Sequence, residues 1–175
     1  MNIRQILLCT SLSAVTVATV MADGDRMIHV DIDEVLMIED LQPIDGITSS
    51  GQPDAKAFAI VAESGYVAVI DMRGPSENRG LNEKAVVEEL GLKYIEFPLV
   101  GREAISFTNA NQLDALLNDI DGPVLLHCGS GNRVGAILAL RHSLQGAEDE
   151  DAMQYGKSAG LTSLEPIVKD RLEKN

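Results

Sequence analysis

The sequence predicts an α/β fold in which a parallel sheet carries helices on both faces, and two observations predict it. Short apolar runs, at 66–72 and 123–127, are bounded by glycine or proline, as strands buried on both faces are. Segments of helical periodicity separate those runs, and strands joined through helices belong in a parallel sheet. The 175 residues suit one domain with a substantial core. With three Phe, three Tyr and no Trp, that core must rest on Val, Ile, Leu and Ala.

The first 22 residues stand apart from the domain. Arg4 gives a positive start, ILLCTSLSAVTVATV an apolar stretch short for a bilayer, and Val20 and Ala22 a cleavage pattern ahead of Asp23. Residues 1–22 therefore read as a secretory signal peptide and 23–175 as a single domain, periplasmic or secreted, with no membrane attachment after cleavage. An uncleaved anchor is the alternative, but no stop-transfer pattern follows. A lipoprotein reading of Cys9 fits less well, because Leu8 stands where a small residue is needed.

The elements follow in order. ITSS is a short extended piece, and Gly51-Gln52-Pro53 turns the chain into a helix capped by Asp54 and closed by Gly65. Tyr66 to Met72 is a strand. GLNEKAVVEELG is an amphipathic helix closed by Gly91, and LKYIEFP alternates as a strand up to Pro98. A third helix starts at Thr108 as its cap and stops at Gly122. Pro123 to His127 is a strand, and VGAILALRHSLQG is a helix apolar on most sides, hence interior. Helices at roughly 148–158 and 163–173 complete the chain.

The chain holds 14 basic and 27 acidic side chains, net −13, and losing Arg4 with the signal peptide takes this one unit further, to −14. So acidic a surface argues against nucleic acid and anionic membrane as partners. Loss of Cys9 leaves one cysteine, which in an exported chain is either a buried bystander or a reactive thiol. Ligands of parallel sheets bind beyond the carboxyl ends of the strands. Cys128 and Asp71 both fall at such ends and are expected to open onto one rim.

LLHCGSGNRVG, 125–135, decides between bystander and nucleophile. Between Cys128 and the helix near Val134, the residues Gly129, Ser130, Gly131 and Asn132 can turn backbone N–H groups inward. A ring of amides at a helix N-terminus binds an anion, and the same field favours a thiolate over a thiol. Arg133 adds a fork suited to bidentate capture of an oxyanion. A nucleophile within an anion cradle is what phosphoryl transfer through a phospho-cysteine needs.

HCGSGNR resembles the phosphate-binding loop of cysteine-dependent protein tyrosine and dual-specificity phosphatases. More closely, it resembles the bacterial phosphatase-like branch that includes the beta-lactamase hydrolase-like proteins, where four residues separate Cys from Arg. SSGQP (49–53), GYVAVIDMRGPSE (65–77), GLKYIEFP (91–98) and 123–135 fit that branch in order. The resemblance spans roughly 45–145 and implies a cysteine-phosphatase-like fold and a metal-independent phosphoric monoester hydrolase without cofactor. It implies that Cys128 is the nucleophile, that Arg133 and the amides of 129–133 bind phosphate, and that His127 holds the cysteine backbone and helps keep the sulfur ionised. A satisfied core histidine is an equal reading of His127. The partner would be a phosphorylated protein or small molecule, and nothing in the sequence speaks to oligomeric state.

Three departures from the wider phosphatase pattern stand out. The loop is one residue shorter than in most tyrosine phosphatases. Val134 stands where Ser or Thr usually assists departure of the thiolate, which would slow turnover. Gly101 stands where an acidic residue is expected, leaving Glu103 and Asp71 as candidates for the general acid. Arg73 and Glu77 are expected to pair with each other or to brace the loop. His29 and His142 lack ligand-like spacing, so no metal site is expected. Two other functions remain open: a rhodanese-type sulfurtransferase, which the short loop favours, and a non-catalytic anion-binding module.

Overall fold

The computed structural model describes residues 27–29 and 46–174, so the segment read as a signal peptide lies outside the described residues. Its sheet has five parallel strands: β1 (Met27–His29), β2 (Ile47–Ser50), β3 (Ala68–Asp71), β4 (Lys93–Glu96) and β5 (Val124–His127). Their spatial order is β1-β2-β5-β3-β4, which places β5 at the centre. Six helices are described: α1 (Ala55–Glu63), α2 (Glu83–Glu89), α3 (Phe107–Asn118), α4 (Asn132–Leu144), α5 (Asp149–Ser158) and α6 (Glu165–Leu172). A 3-10 turn spans Arg102–Ala104.

Side chains of a strand alternate between faces, and here that alternation divides the core in two. Ala68, Ile70, Val124 and Leu126, with Met72 and Cys128 continuing the pattern, pack with α4 and with residues of α3, α5 and α6. Val69 and Leu125 point the other way, onto Phe58 and Val61 of α1 and Val87 of α2. Helix α4 is buried from Val134 to Arg141, as its all-round apolar pattern requires.

Most boundaries fall within two residues of those expected from the sequence. Asp54 caps α1, its side chain accepting from the Ala57 amide at 2.8 Å. Helix α3 is capped by Ser106 and not by Thr108; its Oγ accepts from the Asn109 amide at 3.3 Å. The earlier start carries Phe107 into the helix, where it packs against the core. Strand β1 was not anticipated, because three residues show no period.

Helices α4 and α5 meet where both lack a side chain. A Cβ at Gly135 would lie 2.2 Å from the Leu161 amide nitrogen and 2.5 Å from the Gly156 carbonyl oxygen. Both obstacles are backbone and cannot swing aside. Gly135→Ala is expected to cost about 3 kcal/mol or more, lowering Tm by roughly 6–12 °C at about 2–4 °C per kcal/mol for a domain of this size. Thermal unfolding followed by circular dichroism measures this.

Candidate active site

Strand β5 ends at His127 and α4 begins at Asn132, so residues 128–131 make the whole turn between them. Gly131 is left-handed (φ 79°), a conformation glycine adopts without strain, and α4 has no side-chain cap. The leading amides of α4 therefore have neither an intrahelical nor a capping acceptor, and the helix dipole adds positive potential there. A buried anion site needs both features.

Neighbouring segments brace this loop. The Cys128 amide donates to the Ser50 carbonyl at 3.4 Å, and Ser130 pairs with Gly51 as an isolated antiparallel bridge. The Asn132 side chain clamps the 162–164 turn. Its Oδ1 accepts from the amides of Thr162 (2.8 Å) and Leu164 (3.3 Å), while Nδ2 donates to Ser163 Oγ at 2.7 Å. Any role of Asn132 toward an anion thus belongs to its backbone. Gly129 and Ser130 are exposed, and Cys128 is 1% exposed.

Arg133 closes the turn. Its Nη1 and Nη2 donate to Glu77 Oε1 (2.6 Å) and Oε2 (2.7 Å), and Nη1 also reaches the Met72 carbonyl at 3.3 Å. The bonds to Glu77 keep the guanidinium firmly charged against its partial burial. Reciprocally, Arg133 is the main cause that lowers the Glu77 carboxyl to about 2. Glu77 also accepts from Arg73 Nε at 3.3 Å and from the Gly74 amide at 2.7 Å. The expected Arg73–Glu77 pair is present, and it extends to Arg133.

In front of Arg133 opens a cleft of about 400 Å³ lined by Glu77, Leu99, Val100, Arg102, Ile105 and Leu164, with Gly101 and Asn132. Its walls are apolar and Arg102 stands at its edge. Glu103 is not part of the lining; its side chain is 90% exposed and pairs with Arg171 at 2.8 Å.

Asp71 and His127 lie elsewhere. They are register partners on adjacent strands and share one face, whereas Cys128, one residue further, faces the opposite side. Asp71 is fully buried. Its Oδ1 accepts from the Arg73 amide at 2.8 Å, and its Oδ2 from Arg79 Nε (2.6 Å) and Tyr94 Oη (2.8 Å). The carboxylate is therefore closed in by these donors on the face away from Cys128, and neither residue lines the cleft, contrary to the expectation that both open onto one rim. Burial, and then the hydrogen bond to Asp71, push the Tyr94 hydroxyl above its usual range.

The His127 imidazole points to α2, where Nε2 lies 2.8 Å from Glu83 Oε1. Nδ1 has no partner among the described residues, and no hydrogen bond from the ring reaches Cys128. The ring sits edge-on to Phe58, so the core reading fits its packing.

Glu83 and Gln52 were missed by sequence reasoning. Glu83 looks like one more surface carboxylate of an amphipathic helix, yet it is 2% exposed. Asp71, Glu83 and His127 bring donor atoms within 4.8 Å of one another, a metal-type grouping that spacing did not reveal. Each of their oxygens already accepts a hydrogen bond, from the Arg73 amide, Arg79, Tyr94, Gln52 or His127. A cation would have to displace those donors, so the donor set does not fit a metal.

Among solved structures, a putative phosphatase of Neisseria meningitidis matches with a TM-score of 0.62 at 17% identity, over 78% of this chain and 98% of that one. A putative phosphatase of Shewanella putrefaciens matches with a TM-score of 0.58 at 21% identity, over 77% and 86%. TpbA of P. aeruginosa, a cysteine-to-serine variant in complex with phosphotyrosine, matches at 0.52 and 19% identity, over 72% and 77%. At these identities the likeness shows the fold, that of the cysteine phosphatases. In sequence, the beta-lactamase hydrolase-like protein of Xylella fastidiosa is 30% identical over 109 residues, 60% of this chain and 25% of the relative. The Agrobacterium fabrum protein of the same description is 26% identical over 120 residues, 66% of this chain and 28% of the relative. The chain thus spans about a quarter of the curated relatives it matches. With the family model matched over residues 42–145, the chain belongs to the phosphatase-like domain family of the beta-lactamase hydrolase-like proteins.

Proposed function

We propose that the chain is a cysteine-dependent phosphatase that hydrolyses phosphomonoesters, aryl esters foremost, through a phospho-cysteine. The observation that carries this reading is the placement of Cys128 and Arg133 at the two ends of one short turn, between the central strand β5 and the uncapped N-terminus of the buried helix α4. Cys128 Sγ attacks phosphorus as the thiolate and the bond to the ester oxygen breaks. Water then attacks phosphorus, the S–P bond breaks and phosphate leaves. Arg133 and the leading amides of 129–133 stabilise the equatorial oxygens throughout. Apolar walls from Leu99, Ile105 and Leu164 suit an aryl group. TpbA, of the same fold, has been crystallised with phosphotyrosine, which makes that group a reasonable first substrate here.

Neither acid candidate enters this chemistry. Asp71 is buried on the opposite face, Glu103 points to solvent outside the cleft lining, in an exposed pair with Arg171, and Glu77, the carboxylate lining the cleft, is ionised at neutral pH. The leaving oxygen consequently departs as its anion or takes a proton from water. Values of kcat/KM, which report the step that releases the alcohol, are expected to fall steeply as the leaving alcohol becomes less acidic, and Glu103→Gln is expected to leave that dependence unchanged. A series of substituted phenyl phosphates and one alkyl phosphate measures both.

The defining assay is release of phosphate from p-nitrophenyl phosphate by the purified protein, with inhibition by vanadate. Transfer of sulfur from thiosulfate to cyanide without phosphate release would replace this reading by a sulfurtransferase. Phosphate binding with neither activity would leave an anion-binding module.

A further inference from the structure

One polar chain connects the two ends of the Cys128 loop without passing through the loop. It starts behind the sheet, where His127 meets Glu83 Oε1 at 2.8 Å. Glu83 Oε2 accepts from Gln52 Nε2 at 2.6 Å. Gln52 Oε1 accepts from Arg73 Nη1, and Arg73 Nε donates to Glu77 Oε2 at 3.3 Å. Glu77 holds Arg133 through both terminal nitrogens. The path therefore runs over the carboxyl rim of the sheet, from the face of α2 to the face of α4.

Gln52 is its crossing point and the one neutral side chain between charged partners. Its acceptor faces a guanidinium and its donor faces a carboxylate, so a primary amide satisfies both neighbours at once. A carboxylate at this position would oppose Glu83, and an ammonium or guanidinium would oppose Arg73. The amide end is further fixed by the Pro53 carbonyl, which accepts from Nε2 at 3.1 Å. Glu77 takes the end-on edge of Arg133, Nη1 and Nη2, which leaves the Nε edge of the fork for an oxyanion.

We propose that Gln52 is a positioning residue for Arg133, acting through Arg73 and Glu77 and anchored on the His127–Glu83 pair. The inference rests on the phosphatase reading above for its kinetic form. If Gln52 is lost, Arg73 keeps the Asn78 carbonyl, which accepts from Nη2 at 2.8 Å, and Glu77 keeps the Gly74 amide. The Nη1 side of Arg73 loses its partner, however, and the guanidinium of Arg133 can tilt away from the in-line geometry. A misplacement of that kind costs on the order of 10- to 100-fold in rate. Because Arg133 serves the transition state, the loss belongs in kcat more than in KM.

Gln52→Met keeps length and removes all three hydrogen bonds of the side chain. It is expected to lower kcat on p-nitrophenyl phosphate by about tenfold or more, with KM little changed and vanadate binding weakened by a similar factor. In a Glu77→Gln background the same substitution is expected to add little, because the path is already cut there. Gln52→Glu supplies a second test that does not depend on how the methionine variant folds. A carboxyl set against Glu83, with Arg73 across from it and Arg79, Asp54 and Lys56 about the same shallow cleft, can donate to Glu83 only when protonated. Its activity relative to the unsubstituted protein is expected to rise as pH falls, approaching parity at the acid end.

Retention of kcat and vanadate affinity within twofold in Gln52→Met overturns the proposal, as does simple multiplication of the Gln52→Met and Glu77→Gln effects. A constant ratio for Gln52→Glu across pH also overturns it. Absence of turnover in the unsubstituted protein is a separate result, which sinks the phosphatase reading. Phosphate binding by calorimetry then still reads the coupling of Gln52 to Arg133.

Discussion

Cys128→Ser is expected to abolish phosphate release while leaving the fold and phosphate binding in place. Serine fills nearly the same space at a site that is 1% exposed, and the anion site is built from groups the substitution leaves alone. Those are the uncapped amides of α4 and the Arg133 fork. What disappears is the group that makes and breaks the bond to phosphorus. Loss of a covalent nucleophile costs on the order of 10⁶-fold in kcat, which for an ordinary turnover number means no detectable product. Calorimetry on the serine variant, with phosphate as ligand, supplies the other half of the test. Retained binding with lost turnover separates a nucleophile from a cysteine that merely shapes the site.

Arg133→Lys is the second large effect. The charge stays and the fork goes: an ammonium cannot hold Glu77 through two parallel bonds and also present an edge to an equatorial oxygen. An arginine that stabilises a phosphoryl transition state contributes on the order of 10³ to 10⁵ in kcat, and a fall toward that range is expected. A second signature lies in Glu77. Its carboxyl is held at about 2 chiefly by Arg133, and weakening that contact lets it climb toward the ordinary carboxylate range. The sign follows directly. A depressed carboxyl adds stability above its unfolded pKa, and that stability is lost as pH falls toward 2. The unsubstituted protein should therefore lose stability across that acid window more steeply than Arg133→Lys. Urea denaturation at a series of pH values measures the difference.

The sequence carried the fold because every described strand but β1 announced itself locally. Val124–His127 and Ala68–Asp71 are buried on every residue, and such strands read as unbroken apolar runs. Asp54, Gly65 and Gly91 marked helix ends by the chemistry of caps and left-handed turns. The Cys128 loop was legible for a similar reason, since all its parts lie within one contiguous stretch. What stayed hidden was long-range. That Asp71 faces away from Cys128 depends on the register that pairs it with His127, and no local pattern states a register. That Glu83 sits under His127, 44 residues away, depends on how α2 docks. Gln52 reads in the sequence only as part of a turn, and the fold alone sets Arg73 and Glu83 on either side of it.

Val134, fully buried at the first turn of α4, bears on the rate at which the intermediate clears. It offers no hydroxyl beside the loop to assist departure of the thiolate, so the proposed phospho-cysteine is expected to persist and to be open to capture. The most direct measurement mixes the protein with excess p-nitrophenyl phosphate, quenches it in denaturant during the first turnovers, and maps the modified peptide by mass spectrometry. The account predicts one phosphoryl group on Cys128, formed as fast as the first equivalent of nitrophenol appears. Steady turnover with Cys128 unmodified, or with the phosphoryl group on another side chain, would contradict it.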